Sequence, residues 1–375
     1  MIQRRLQPII EGYLFKGKTI VIYGARQTGK TTLLEQMLEP YRGNTLFLNG
    51  DDADIRGMLT DLNATKLFPI IGKSKIVVVD EAQRIPETGL ALKIIHDNFK
   101  DVQLIATGSS SFELANNISE PLTGRKFEFT LYPLSFGEMV EHHGFLTEKR
   151  LLEHRLIYGY YPDIAINVGQ ETKLLKSLAS SYLYKDLLTL DTIKKPVLLE
   201  KILSALALQI GNEVSYNELA QLLNSDKETV EKYIDLLEKT CIIFRLGALS
   251  RNVRNEIKQG RKIYFYDNGI RNAILGNFSA LSSRTDKGAL WENFLISERF
   301  KFLWTNEMDV KSWFWRTTQQ QEIDYIEEYP DKILAWEFKW NSQKTVRLSK
   351  TFANAYSNTE FNMVNPENIQ NFLMK

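Results

Sequence analysis

Short apolar runs alternate with stretches of helical period over the first 135 residues. Thr19-Ile-Val-Ile-Tyr23 is unbroken in its apolar character. That pattern suits a strand covered on both faces. Across residues 30–38, Leu33, Leu34, Met37 and Leu38 share one side of a helix. Thr45–Leu48, Lys75–Asp80, Gln103–Thr107 and Lys126–Leu131 repeat the strand pattern. Strands separated by helices predict parallel βαβ units and an α/β fold with a parallel sheet. From about 135 to 245 the period is mostly helical. Leu198–Leu208, Tyr216–Leu223 and Glu228–Lys239 read as three helices, followed by strand-like Cys241–Leu246 and Lys262–Tyr266. Beyond 285, a helix over Lys287–Phe300 precedes strands at Trp313–Arg316, Glu322–Ile326 and Leu334–Lys339. A further helix and strand close the pattern. The expected partition is a core over 1–135, a helical segment over 136–195, a small module over 196–284 and a last domain over 285–375.

Composition narrows the classes. The chain has 375 residues, 47 Lys+Arg against 46 Asp+Glu, 43% hydrophobic and 25% charged residues. These values exclude a disordered, collagenous or coiled-coil chain. No apolar run approaches the ~18 residues that span a bilayer, so no membrane association is expected. The first residues, Met-Ile-Gln-Arg-Arg, lead into no apolar stretch of a secretory signal. Cys241 is the single cysteine, which excludes a disulfide framework and suits a cytoplasmic setting. The 4 His all precede residue 155 and the 6 Trp all follow residue 290, as separate modules would have it. Near-neutral charge argues against a broadly basic nucleic-acid coat but leaves local patches open.

Gly24-Ala25-Arg26-Gln27-Thr28-Gly29-Lys30-Thr31 fits G-x-x-x-x-G-K-[ST] between a predicted strand and a predicted helix. In that setting backbone N–H groups of the loop, with Thr32 behind it, wrap phosphate oxygens. Lys30 would neutralise β/γ-phosphate charge, and the Thr31 hydroxyl would ligate Mg²⁺. Asp80 and Glu81 end an apolar strand at its carboxyl end, where open α/β sheets bind ligands. Asp80 would hold the metal through water, and Glu81 would polarise an attacking water. Thr107-Gly-Ser109-Ser110-Ser111 ends another strand. Ser109 there either senses the γ-phosphate or belongs to a turn that caps the next helix.

These motifs, with Leu122-Thr-Gly-Arg125 and Leu131-Tyr-Pro-Leu-Ser-Phe136, resemble a prokaryotic family of AAA-type ATPases whose C-terminal half is DUF4143. The resemblance covers essentially the whole chain. It implies an AAA+ core with a helical lid, ATP and Mg²⁺ as cofactors, and a homo-oligomer in which Arg125 serves a neighbouring subunit as an arginine finger. A surface pair with Glu128 is the other reading of Arg125. Gly159-Tyr160-Tyr161-Pro162 stands where the family has Gly-Gly-Tyr-Pro, and Pro162 by analogy lies near the adenine.

The three central helices and two strands resemble a winged helix. Its third helix carries Glu228, Glu231, Asp235 and Glu238, an acidic balance that would repel phosphates. The following ribbon is basic through Arg245, Arg251, Arg254, Lys258, Arg261 and Lys262. Either that ribbon contacts a nucleic-acid backbone, or the module only packs between domains. Asp324 and the Glu337-x-Lys339 pattern, in their order of elements, resemble the PD-(D/E)xK nuclease fold. Asp324 and Glu337 would bind Mg²⁺, which prefers carboxylate oxygen, and Glu292 would hold a metal-bound water. Lys339 would position or deprotonate a water. Trp313, Trp315, Trp336 and Trp340 could stack on bases or fill a core. A catalytically silent domain that recognises a protein partner is the alternative.

Overall fold

The computed structural model describes residues 2–60, 63–108, 121–183, 193, 195–250 and 260–375. Two compact units emerge. The first is Met1–Pro133 with Tyr182–Ile193 and Lys239–Cys241, and the second is Leu134–Ser181, Lys194–Glu238 and Ile242–Lys375. Among the described residues no helix is long and apolar enough to cross a membrane.

The first unit is a parallel sheet of β1 (Thr19–Tyr23), β2 (Thr45–Asn49), β3 (Ile76–Asp80), β4 (Gln103–Gly108) and β5 (Lys126–Thr130), in the order β2-β3-β4-β1-β5. Successive residues point to opposite faces of a strand, and here both faces are buried. Ile20, Ile22, Ile76, Val78 and Ile105 pack with Leu33, Leu34 and Met37 of the helix Lys30–Leu38. Val21, Val77, Val79, Leu104 and Ala106 pack with Leu92 and Ile95 of the helix Thr88–Asn98. Two covered faces explain why these strands read as continuous apolar runs. Because β4 lies between β1 and β3, the carboxyl ends of all three open onto one crevice.

The second unit contains the helices Pro196–Leu208, Tyr216–Leu222 and Lys227–Lys239. Its sheet has seven strands: β6 (Glu213–Val214), β7 (Ile243–Ala248), β8 (Arg261–Phe265), β9 (Lys311–Arg316), β10 (Glu322–Glu328), β11 (Ile333–Phe338) and β12 (Thr359–Val364). The order is β12-β11-β10-β9-β7-β8-β6. β7 and β9 pair in parallel, Gly247 with Trp313 and Ala248 with Phe314. The hairpin of the central module and the C-terminal strands therefore form one sheet. Leu249, Trp315, Ile323, Ile326, Ala335 and Phe352 fill one face. The 19-residue helix Lys287–Thr305 is tied to β10 by Arg299, whose Nε and Nη2 donate to Glu327 at 2.6 and 2.9 Å.

Two tryptophans belong to the core rather than to a stacking surface. Trp315 meets Phe352 edge-on at 5.0 Å, and Trp336 lies 4.8 Å from the Phe372 ring. Trp313 covers Gly247. Trp340 packs edge-on against Trp291 at 5.3 Å and receives the Lys287 ammonium at 4.3 Å.

Candidate nucleotide site and C-terminal carboxylate cluster

The loop after β1 has the backbone the motif needs. Gly24 (φ 154°) and Gly29 (φ 91°) take conformations that side chains oppose, and a Cβ on Gly24 would meet the Leu131 carbonyl oxygen at 2.3 Å. Gln27 also has positive φ, 59°, and Thr28 Oγ1 donates to the Ala25 carbonyl at 2.8 Å. Lys30 is buried and folds back over the loop. Its Nζ donates to the carbonyls of Gly24 and Ala25 at 2.9 and 3.0 Å. The amine is thus held across the loop mouth, where phosphate oxygens would replace the two carbonyls. Arg26 and Thr32 lie in the same turn and the first helical turn behind it.

Thr31 and Asp80 meet across the crevice. Thr31 Oγ1 donates to Asp80 Oδ2 at 2.9 Å. The other Asp80 oxygen accepts from the Thr107 hydroxyl of β4. Buried between β1 and β3, Thr107 also receives the Glu81 amide at 3.3 Å, which fixes the carboxylate pair to the sheet. Hard-oxygen donors on Thr31 and Asp80 fit a Mg²⁺ ion. Glu81 itself is left-handed (φ 49°). For a non-glycine residue that costs about 1–3 kcal/mol, a strain concentrated at functional sites. Its Oε2 accepts from Gln83 Nε2 at 2.6 Å.

Two features escaped the sequence. Arg4, buried and far from any motif, donates from Nη1 to the Thr28 carbonyl at 2.7 Å and from Nη2 to the Tyr132 carbonyl at 2.6 Å. It clamps the loop to the chain beyond β5. Arg125 pairs with Asp97 at 3.4 Å rather than with Glu128. Glu128 is taken instead by Lys126 and the Tyr23 hydroxyl, both at 2.7 Å. Ser109, with Ser110 and Ser111, lies outside the described residues. Pro162, in the second unit, opens the helix Pro162–Ile166.

In the second unit the D…E-x-K residues do converge. Asp324, only 9% exposed, accepts the Phe338 amide at 2.7 Å. Burial and the charges of Glu292 and Glu337 push its carboxyl well above the usual range. Lys339 Nζ reaches Glu337 Oε1 at 2.6 Å. Burial opposes the Lys339 charge, yet Glu337, Asp324 and Glu292 together carry its pKa above the ordinary value. Glu292 accepts from Lys262 Nζ at 2.9 Å and from the Tyr264 hydroxyl at 2.6 Å. Lys262 also lies 2.5 Å from Glu322. Among the described residues, no three His, Cys, Asp or Glu side chains stand together ready to hold a metal ion. The Lys262 ammonium pairs with Glu292 and that of Lys339 with Glu337.

This corrects the reading of Lys262 as a surface contact for nucleic acid. At 1% exposure, with two carboxylates against it, its charge is spent inside the protein. Arg245 is likewise neutralised by Asp235 and Glu238 of the preceding helix. Arg251, Arg254 and Lys258 lie outside the described residues. Of the expected ribbon cations, Arg261 alone is left at the surface among the described residues.

Residues 16–140 match the family model of an AAA domain, a span that takes in the phosphate loop, Asp80, Thr107 and Arg125. Residues 287–370 match DUF4143, a domain of unknown function. The chain carries an AAA domain and a DUF4143 domain. Between them, residues 149–281 match DUF8612, a second domain of unknown function. A protein of Mycobacterium tuberculosis described as uncharacterized is 27% identical over 340 residues, covering 90% of this chain and 73% of its own length. One from Haemophilus influenzae, described in the same way, is 24% identical and covers 88% of this chain and 85% of its own length. Among solved structures, the Thermotoga maritima RuvB Holliday junction branch migration motor is 18% identical with a TM-score of 0.35, covering 70% of this chain and 92% of that one.

Proposed function

We propose that the chain is an Mg²⁺-dependent ATPase of the AAA+ type, acting as an ATP-driven switch coupled to a nuclease-like C-terminal domain. The observation that carries the ATPase half is the Thr31–Asp80–Thr107 chain of hydrogen bonds beside the Lys30-capped loop. ATP is held by residues 24–32, with the Mg²⁺ on Thr31 and Asp80. Glu81 orients and polarises the attacking water. Arg125, half-exposed and paired with the surface Asp97, is available to act in trans on a neighbouring subunit of a homo-oligomer. An ion of this kind neutralises charge on the transferred phosphoryl group.

The C-terminal half of the reading rests on Asp324 of β10, Glu337 of β11 and Lys339 just beyond it standing together, next to Glu292. These carboxylates would hold a divalent cation only once the Lys262 and Lys339 ammonium groups that pair with Glu292 and Glu337 give way, and Lys339 would then position a water against a phosphodiester. The three helices and the β7–β8 hairpin suit a winged-helix module between the two. One observation favours a second reading, an ATP-gated binding protein whose C-terminal domain is catalytically silent. Lys262 already compensates Glu292, and Glu322 beside it.

The tests are separate. Lys30→Ala should abolish Mg²⁺-dependent ATP hydrolysis, and full hydrolysis by that variant rejects the ATPase assignment. Purified protein should cleave single- or double-stranded nucleic acid with Mg²⁺ or Mn²⁺, and Glu337→Ala or Lys339→Ala should remove the cleavage. Absence of cleavage, or cleavage indifferent to both changes, leaves the binding protein as the reading.

A further inference from the structure

A polar cavity of the second unit has a volume of about 790 Å³ and lies at one end of the seven-stranded sheet. Its size is within the range of about 300–1,000 Å³ typical of ligand sites. Three cations, Lys227, Arg261 and Arg316, and three acids, Glu213, Glu218 and Glu231, line it. Thr317, Thr318 and Gln320 of the β9–β10 turn add neutral hydrogen-bonding groups.

Two features separate it from an ordinary surface hollow. The first is the state of its arginines. Arg245, Arg271, Arg284 and Arg299 of the same unit each contact a carboxylate. Among the described residues, Arg261 and Arg316 form no ion pair, and the Arg316 guanidinium is steadied by the neutral amide of Gln320. The fork of an unpaired guanidinium is matched to phosphate oxygens. The second is continuity with the carboxylate cluster. Arg316 stands opposite Glu322 in the β9–β10 ladder, and Glu213 stands opposite Lys262 in the β6–β8 ladder. Directly opposed residues project on the same face. Gly211, just ahead of the cavity's Asn212, is placed so that a Cβ would lie 3.3 Å from Glu292.

We propose that this cavity seats phosphate ester groups of a nucleic-acid strand, with Arg316 and Arg261 as anchors, and leads the strand to the Glu292–Asp324–Glu337 cluster. The inference rests on the nuclease-like reading of that cluster for the direction of the strand, but not for binding itself. The threonine hydroxyls and Gln320 supply partners for ester oxygens and sugar hydroxyls. The three acids oppose that anchoring, so removing the charge of one should strengthen it.

The test is fluorescence anisotropy of a labelled single-stranded oligonucleotide with the full chain in EDTA, across a salt series. Arg316→Ala should weaken binding by roughly tenfold to a hundredfold, the worth of a charge-assisted contact. It should also reduce the magnitude of the salt slope by about one, which a purely structural role would not do. Exposed Glu218→Gln should tighten binding. Unlabelled strand should displace the probe while AMP should not. AMP displacing as well as the strand, affinity and slope unchanged in Arg316→Ala, or no binding at low salt each overturn the proposal. If Arg316→Ala does not fold by circular dichroism, Glu218→Gln decides, and unchanged affinity there counts against the cavity. Arg316-dependent binding without cleavage in Mg²⁺ keeps the cavity and rejects the nuclease reading. Cleavage without Arg316-dependent binding rejects the cavity alone.

Discussion

Replacing Arg4 by Ala should weaken nucleotide binding from a position that no motif includes. The side chain is 7% exposed and donates to the Thr28 carbonyl at 2.7 Å and to the Tyr132 carbonyl at 2.6 Å. A hydrogen bond to a charged group contributes about 1.5–3 kcal/mol. Two bonds from one guanidinium are not independent, so the pair is worth about 3 kcal/mol rather than the full sum. That much stability should disappear from the first unit. Thr28 belongs to the phosphate loop, so part of the loss is preorganisation that the nucleotide must then supply. Every 1.4 kcal/mol is about tenfold in affinity, which bounds the weakening at roughly a hundredfold. We expect at least tenfold. The assay is titration of a fluorescent ADP in Mg²⁺, beside urea denaturation with and without ADP. Arg4→Lys keeps the charge but cannot fork across two carbonyls, and should fall between wild type and Arg4→Ala. Reduced stability with affinity within about twofold of wild type would make Arg4 a plain tether and refute the clamp.

Two further outcomes are expected. Thr107→Val removes the donor to Asp80 while keeping the shape of β4. Its kcat for ATP hydrolysis should fall roughly ten- to a hundredfold, with ADP affinity little changed in the same titration. Asp324→Asn should stabilise the second unit at pH 8 in a denaturant series, with the advantage shrinking towards pH 4. Burial, Glu292 and Glu337 raise the Asp324 carboxyl above its ordinary value of 3.8. An acid raised on folding contributes its stability below the unfolded value and loses it as pH rises through the folded one. Each unit of that displacement is worth about 1.4 kcal/mol. A difference between variant and wild type that is flat in pH would refute the assignment.

The sequence was most informative where one physical constraint dominated. Thr19–Tyr23 and Ile76–Asp80 are strands covered on both faces, and such strands have almost no choice but apolar residues. The loop Gly24–Thr31 declares itself because only glycine is comfortable at φ 154° and 91°. Contacts distant in sequence left no such trace. Arg4 reaches carbonyls 24 and 128 positions away, and a carbonyl target has no sequence signature. Lys262 shows how a strand misleads. Beside Arg261 it read as one more surface cation, yet it sits on the face shared with Tyr264, and both turn to Glu292. An alternation of Lys262 and Tyr264 about buried Ile263 was the available hint. Arg125 was expected to choose between a finger and Glu128, but Asp97 comes from the helix Thr88–Asn98, whose approach only the fold could reveal.

The parallel contact of β7 with β9 sets a rule for anyone who would cut this chain into pieces. The DUF8612 match stops at 281 and the DUF4143 match begins at 287, so the gap between them looks like a natural place to divide. A cut there would strip β9 of its β7 partner and leave two raw edges, each a template for pairing with other chains. Both fragments would then be prone to self-association. The sheet from β6 to β12 is one hydrogen-bonded unit, and a C-terminal fragment that begins at 285 is a poor stand-in for it.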